Sequence, residues 1–149
     1  MKNGNYLKEE IISGKDKIKS HIKINKNAKL LDVGCGTGIS SDFGCFKVGI
    51  DPSMNLLEQN KNKNKVFGIA EELPFKSHSF DYVLCVTALH NFMDEEKALL
   101  EMKRVGSKNF VLSIFKKSKK FKNIAWLIER HFNVKRKIGE GYDVIFFCK

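Results

Sequence analysis

A chain of 149 residues with 42% hydrophobic content is long enough for one well-formed core and too short for two, and its two prolines and 11 glycines do not signal disorder. No apolar run approaches the roughly 20 residues of a membrane span and the N-terminus has no signal-peptide core, so a cytoplasmic location is expected. The net charge of +10 rests on 27 Lys and Arg of which only three are Arg, the residue that grips phosphates, and four cysteines without a C-x-x-C pair signal neither a metal site nor a disulfide framework.

In chain order, Leu7, Ile11, Ile18 and Ile22 predict a helix over Tyr6 to His21. Ala28 to Val33 is a short apolar run of the kind buried on both faces of a sheet, and it ends in Gly34-Cys35-Gly36-Thr37-Gly38. The sixth position after the first glycine is Ile39, so the dinucleotide fingerprint is incomplete, an NAD-dependent oxidoreductase is disfavoured, and no P-loop follows. Asp32, two residues before the turn, suits a cationic ligand better than a pyrophosphate. Ile39 to Phe43 has room for little more than one or two helical turns, with Phe43 and Phe46 expected to cover this side of the sheet.

Cys45 to Ile50 is the second predicted strand, and Ser53 caps a short helix to Gln59. The alternating Asn-Lys run from Asn60 to Lys65 reads as a solvated turn at the amino ends of the strands, away from chemistry. Val66 to Ile69 and Phe80 to Val86 are the third and fourth strands, followed by the loop Thr87 to Phe92. Asp94 caps a helix with Glu95 and Glu96 in its first turn; Gly106-Ser107 then turns into a fifth strand, Asn109 to Phe115. Phe121 to Phe132 is the last helix, and Asn133 to Ile138 with Tyr142 to Lys149 form a closing hairpin around Gly139-Glu140-Gly141. Of the histidines, His90 alone falls in a loop at a strand's carboxyl end; His21, His78 and His131 read as surface.

Four segments in order carry a resemblance: Leu30-Leu31-Asp32-Val33-Gly34-Cys35-Gly36-Thr37-Gly38, Val48-Gly49-Ile50-Asp51-Pro52-Ser53, Ala70-Glu71-Glu72-Leu73-Pro74-Phe75, and Phe80-Asp81-Tyr82-Val83 through Ala88-Leu89-His90-Asn91-Phe92. Together they resemble class I S-adenosylmethionine-dependent methyltransferases, in the small-molecule flavour of quinone-biosynthesis enzymes. The resemblance implies an α/β, Rossmann-like doubly wound sheet of seven strands in the order 3-2-1-4-5-7-6, mostly parallel with an antiparallel last strand and helices on both faces. It implies a single domain over 1–149, with 1–27 a helical segment and 28–149 the core. S-adenosylmethionine is the implied cofactor, held by Asp32, Gly34, Cys35, Gly36, Thr37 and Gly38, by Asp51 on the ribose hydroxyls with Pro52 and Ser53, by Ala70 and Glu71 beside the adenine, and by the strand end at Cys85. The family commonly has an Asp where Ile69 stands, so Glu71 or the backbone at Ala70 is expected to take over the adenine contact. His90 is the candidate proton acceptor.

Small-molecule members of the family enclose the acceptor with extra helices, whereas here only Lys116 to Lys120 fills that place. The reading is therefore transfer of a methyl group to an acceptor among small molecules, RNA or protein, on an open face that a homo-oligomer or a partner subunit would cover. The alternative is an S-adenosylmethionine-binding subunit that is non-catalytic alone and depends on a partner. The lysines from Lys116 to Lys122 are the candidate contact for an anionic acceptor.

Overall fold

The computed structural model describes residues 18–39 and 42–149. Among the described residues, after a helical turn at 18–21, seven strands and three further helices follow one another as β1 (Lys29–Val33), β2 (Phe46–Asp51), α1 (Met54–Gln59), β3 (Lys65–Phe67), β4 (Phe80–Cys85), a 3-10 turn (Leu89–Asn91), α2 (Glu95–Val105), β5 (Gly106–Phe115), α3 (Phe121–His131), β6 (Val134–Glu140) and β7 (Asp143–Cys148). They form one sheet in the order β3-β2-β1-β4-β5-β7-β6. The pairs from β3 through β5 are parallel, and β7 runs antiparallel between β5 and β6. This is the expected topology. Most of the expected helix over Tyr6 to His21 lies outside the described residues; its last turn, 18–21, is helical.

Alternation along each strand divides the core in two, as a period of two residues requires. Leu31, Val33, Val83, Cys85, Leu112, Ile114 and Phe146 face one side, where α2 contributes Ala98, Leu99 and Met102, and α3 contributes Ile124, Leu127 and Ile128. Leu30, Leu84, Val111, Ile145 and Phe147 face the other side, covered by Ile18, Ile22 and Phe43. Phe43 thus helps to cover the sheet as expected, but Phe46 does not: it sits at the amino end of β2 with half its surface exposed. No helix among the described residues is long and apolar enough to cross a membrane.

Capping follows the residues. Asp94 accepts from Lys97 N at 2.9 Å, and Glu95 and Glu96 at the first turn with Lys103 and Arg104 at the last complement the dipole of α2. Ser53 caps α1 by accepting from Leu56 N. One expected turn is absent: Gly106 and Ser107 belong to β5, which starts where α2 ends. The reason is local, because a Cβ on Gly106 would stand 2.4 Å from the Phe110 ring, and Ser107 Oγ donates to Phe80 O at 3.1 Å. Without a side chain at 106 the ring closes over the backbone and the strand needs no turn.

Candidate functional site

The parallel strands β1, β2 and β4 end together, and their carboxyl ends collect the residues singled out by the sequence. Gly34, Gly36 and Gly38 have φ of +71°, +51° and +82°. All three occupy the left-handed region that residues with a Cβ adopt only at a cost, which is why the turn alternates glycine with other residues. The two sides of the loop differ. At Gly34 a Cβ would meet Ala88 Cβ at 2.5 Å, so the loop after β4 rests on bare backbone; at Gly36 the nearest side-chain atom is a Leu56 methyl at 3.6 Å, and the loop faces open space.

Asp51 joins the loop to the neighbouring strand. It is 7% exposed; its Oδ2 accepts from Gly36 N at 2.9 Å and its Oδ1 from Ser53 N at 2.8 Å. Each carboxylate oxygen keeps a second lone pair, so the group can still take two hydroxyl donors on its outward side. Half-exposed apolar side chains lie on the neighbouring segments: Met54 and Leu56 of α1, Phe67, which is paired in register with Asp51, and Ile69. A carboxylate bonded to a glycine loop with room for a ligand, with exposed apolar side chains on the adjoining segments, fits a sugar carrying a flat base.

The remaining predicted donor residues are backbone contributors or lie behind the loop. Asp32 is buried in β1, and Thr37 sits partly buried within the turn. The Cys35 side chain points away from the loop's open face: a Cβ on Gly49 would stand 2.7 Å from its Sγ, so the glycine of β2 makes room for it. Burial, with the Asp32 and Asp51 charges, pushes the Cys35 thiol up to about 12, and burial with Asp32 pushes that of Cys85 well above the ordinary range. Neither thiol is nucleophilic, and Cys85, wholly buried, offers its backbone alone. Pro52 is exposed between Asp51 and the cap Ser53.

Ala70 and Glu71 are buried in the turn after β3. Glu71 Oε1 accepts from Met93 N at 2.9 Å and Asp94 N at 3.2 Å, so this carboxylate ties the turn to the entry of α2. The other end of α2 holds the same segment: Arg104 donates to Phe75 O at 2.8 Å and Leu73 O at 2.9 Å, and Glu101 accepts from Leu73 N at 2.9 Å. The Arg104 guanidinium beside Glu101 keeps that carboxyl below its usual range.

Asn60 corrects the sequence reading. Far from being solvated, it is 4% exposed; its Nδ2 donates to Gly36 O at 3.1 Å and its Oδ1 accepts from Asn62 N at 2.9 Å. It is the buried clasp of the glycine loop. A signal was present, since Asn directly follows α1 as its C-cap, but the flanking lysines masked it.

Beyond β4, Thr87 has a φ of +55°, a rare conformation for a β-branched residue. Two hydrogen bonds hold it there: its N donates to Ser113 Oγ at 2.8 Å, and its Oγ1 to Asp143 Oδ2 at 3.0 Å. The kink sets Ala88 on Gly34 and brings His90 beside Phe115, ring centroids 6.3 Å apart. His90 Nδ1 is buried and has no hydrogen-bond partner among the described residues. Burial lowers its pKa, the Asp143 charge opposes this and the Lys120 charge adds to it, so the ring is neutral at pH 7. Of the other histidines, His78 is exposed, whereas His131 is partly buried and pairs with Glu96 at 2.7 Å, which the sequence did not predict.

Residues 31–114 match the family described as "Methyltransferase domain". A demethylmenaquinone methyltransferase of Staphylococcus aureus is 43% identical over 96 residues, covering 55% of this chain and 40% of that protein. The chain thus spans less than half the length of this curated relative. Among solved structures, an S-adenosylmethionine-dependent methyltransferase from Aquifex aeolicus aligns with a TM-score of 0.74 at 16% identity, over 90% of this chain and 88% of that one. A complex between the Trm112 methyltransferase activator and a methyltransferase of Haloferax volcanii gives a TM-score of 0.79 at 11% identity, over 97% and 92%. At such identities the structures share the fold. The matched family, the glycine loop clasped to Asp51 and the 3-2-1-4-5-7-6 sheet lead to one conclusion: the chain belongs to the class I S-adenosylmethionine-dependent methyltransferases.

Proposed function

We propose that the chain binds S-adenosylmethionine across the glycine loop and Asp51 and transfers its methyl group to an acceptor at the carboxyl ends of β4 and β5. The observation that carries this reading is the 2.9 Å hydrogen bond from Gly36 N to Asp51 Oδ2, which puts the bare loop and the carboxylate on one site. In this reading Asp51 and Ser53 hold the sugar end, the backbone at Ala70 meets the base, and amides of Gly36 to Gly38 face the amino-acid end. The bound sulfonium supplies an already electrophilic methyl group. The protein therefore has to align the acceptor and exclude water, which can supply most of the rate. Neutral His90 takes up the proton that a hydroxyl or protonated amine acceptor gives up.

The Staphylococcus aureus relative acts on demethylmenaquinone by its name; the acceptor here is taken up below. The whole chain is read as one domain with 28–149 as its core. A second reading, a subunit active only in a complex, rests on the short 116–120 connection, which leaves the acceptor face open. Robust turnover by the isolated chain would eliminate it.

Calorimetry with S-adenosylhomocysteine tests the donor site. Wild type should bind, and Asp51→Ala should bind at least about tenfold more weakly, as expected for the loss of a charged hydrogen-bond acceptor. Equal heats from two equally folded proteins would count against the assignment.

A further inference from the structure

The carboxyl end of β5 and the turn that leads into β7 carry rings and cations that the donor side does not use. The His90 ring lies 6.3 Å from Phe115 at 40°, and Phe115 lies 6.3 Å from Tyr142 at 30°. Rings at such modest angles can serve together as a shallow dish, and Tyr142, 47% exposed, lies at its outer edge. Cations stand along that edge: Lys117 Nζ is 5.8 Å from the Tyr142 centroid, and Lys116 Nζ is held beside the same turn by Gly141 O at 3.0 Å. The dish adjoins the donor loop through one short path, because Ala88 and Phe92 both lie against Gly34 and His90 stands between them in sequence.

Aromatic faces at shallow angles take a flat ring, and fixed ammonium groups at the rim take an anionic substituent on it. A neutral acceptor would leave the lysines unused. A nucleic acid would call for a track of arginines, and the three arginines are engaged elsewhere: Arg104 with Glu101, Arg130 over Trp126, Arg136 over Phe147. We infer that the dish of His90, Phe115 and Tyr142 is the acceptor subsite and that its acceptor is a small planar aromatic compound carrying an acidic group. The inference rests on the methyl-transfer reading, since it takes the dish to lie beside a bound donor.

The test uses the full chain saturated with S-adenosylhomocysteine, titrated with salicylate, with phenol as the uncharged counterpart and with a uridine decamer, while aromatic NMR resonances are followed. Salicylate should shift the His90 and Tyr142 signals and bind at least about fivefold more tightly than phenol. Tyr142→Ala should weaken salicylate about tenfold. Lys117→Gln should weaken it about threefold and leave phenol unchanged. Salicylate affinity unaltered in both variants, phenol binding as tightly as salicylate, or preference for the decamer would each overturn the inference. If S-adenosylhomocysteine binds and salicylate does not, the acceptor class alone is lost; if S-adenosylhomocysteine itself fails to bind, the methyl-transfer reading falls with it.

Discussion

Adding one methyl group at Gly34 or at Gly36 should have opposite consequences for stability and for binding. Both residues are left-handed, at φ of +71° and +51°, so Gly34→Ala and Gly36→Ala share a backbone cost of about 1–2 kcal/mol. Only at Gly34 does the new Cβ collide, 2.5 Å from Ala88 Cβ, about 1 Å inside ordinary carbon contact. Overpacking of that kind adds about 1–3 kcal/mol, so Gly34→Ala should lose about 2–5 kcal/mol in all. For a chain of this size that is a fall in Tm of roughly 10 °C, against about 5 °C for Gly36→Ala. Binding should reverse the order in proportion to stability, because the Gly36 methyl projects into the open face beside Leu56 where the donor is proposed to lie. Gly36→Ala should weaken S-adenosylhomocysteine about tenfold while remaining the better folded of the two. Urea unfolding and calorimetry on the pair would decide it; equal stability losses, or undiminished binding by Gly36→Ala, would refute the reasoning.

The clasp at Asn60 gives a second prediction: Asn60→Ala removes buried hydrogen bonds to Gly36 O and Asn62 N and should cost about 1–3 kcal/mol in urea unfolding, so an unmoved midpoint would contradict it. At Thr87, Gly relieves the left-handed strain as it loses the hydroxyl bond to Asp143, so Thr87→Gly should stay within about 1 kcal/mol of wild type. Thr87→Val keeps the strain and loses the bond, and should be the less stable variant by about 1–2 kcal/mol; the reverse order in unfolding midpoints would be decisive against this account. For pH dependence, burial holds His90 below its ordinary 6.5, so the unfolded chain takes up that proton first as pH falls through 6.5, and the folded state loses stability there. His90→Gln should flatten that part of the stability curve, measured by urea titrations at successive pH values; an unchanged slope would exclude the buried neutral ring.

The strands and the meeting of Gly36 with Asp51 were legible in short apolar runs that end in glycine or an acid, whereas the strand order came only with the resemblance carried by the four motifs. What escaped depends on partners far along the chain. Asn60 looks solvated among lysines, and only the return of α1 toward the glycine loop buries it. The hold of Glu71 on the amides of Met93 and Asp94, 22 and 23 residues away, carries no side-chain signature. Phe46 was expected to cover the sheet, yet its place at the amino end of β2 leaves it exposed. Nothing in Thr87-Ala88-Leu89 announces a left-handed threonine; Ser113 and Asp143, from two other strands, impose it. The lysines after β5 read as a candidate anion contact, and nothing in their run announces that Lys116 is tied to Gly141 O or that Lys120 pairs with Glu95.

Helix α2 is tethered at its entry by Glu71 and at its exit by Arg104 and Glu101 to the same stretch, 71–75. It works as a lever pinned at both ends: tilting it to admit a bulkier acceptor would drag along the seat proposed for the nucleobase. Room for new acceptors has to be found on the hairpin side instead, around Tyr142 and Lys117, both exposed. Laboratory selection for altered acceptor range should accumulate substitutions there and leave α2 untouched.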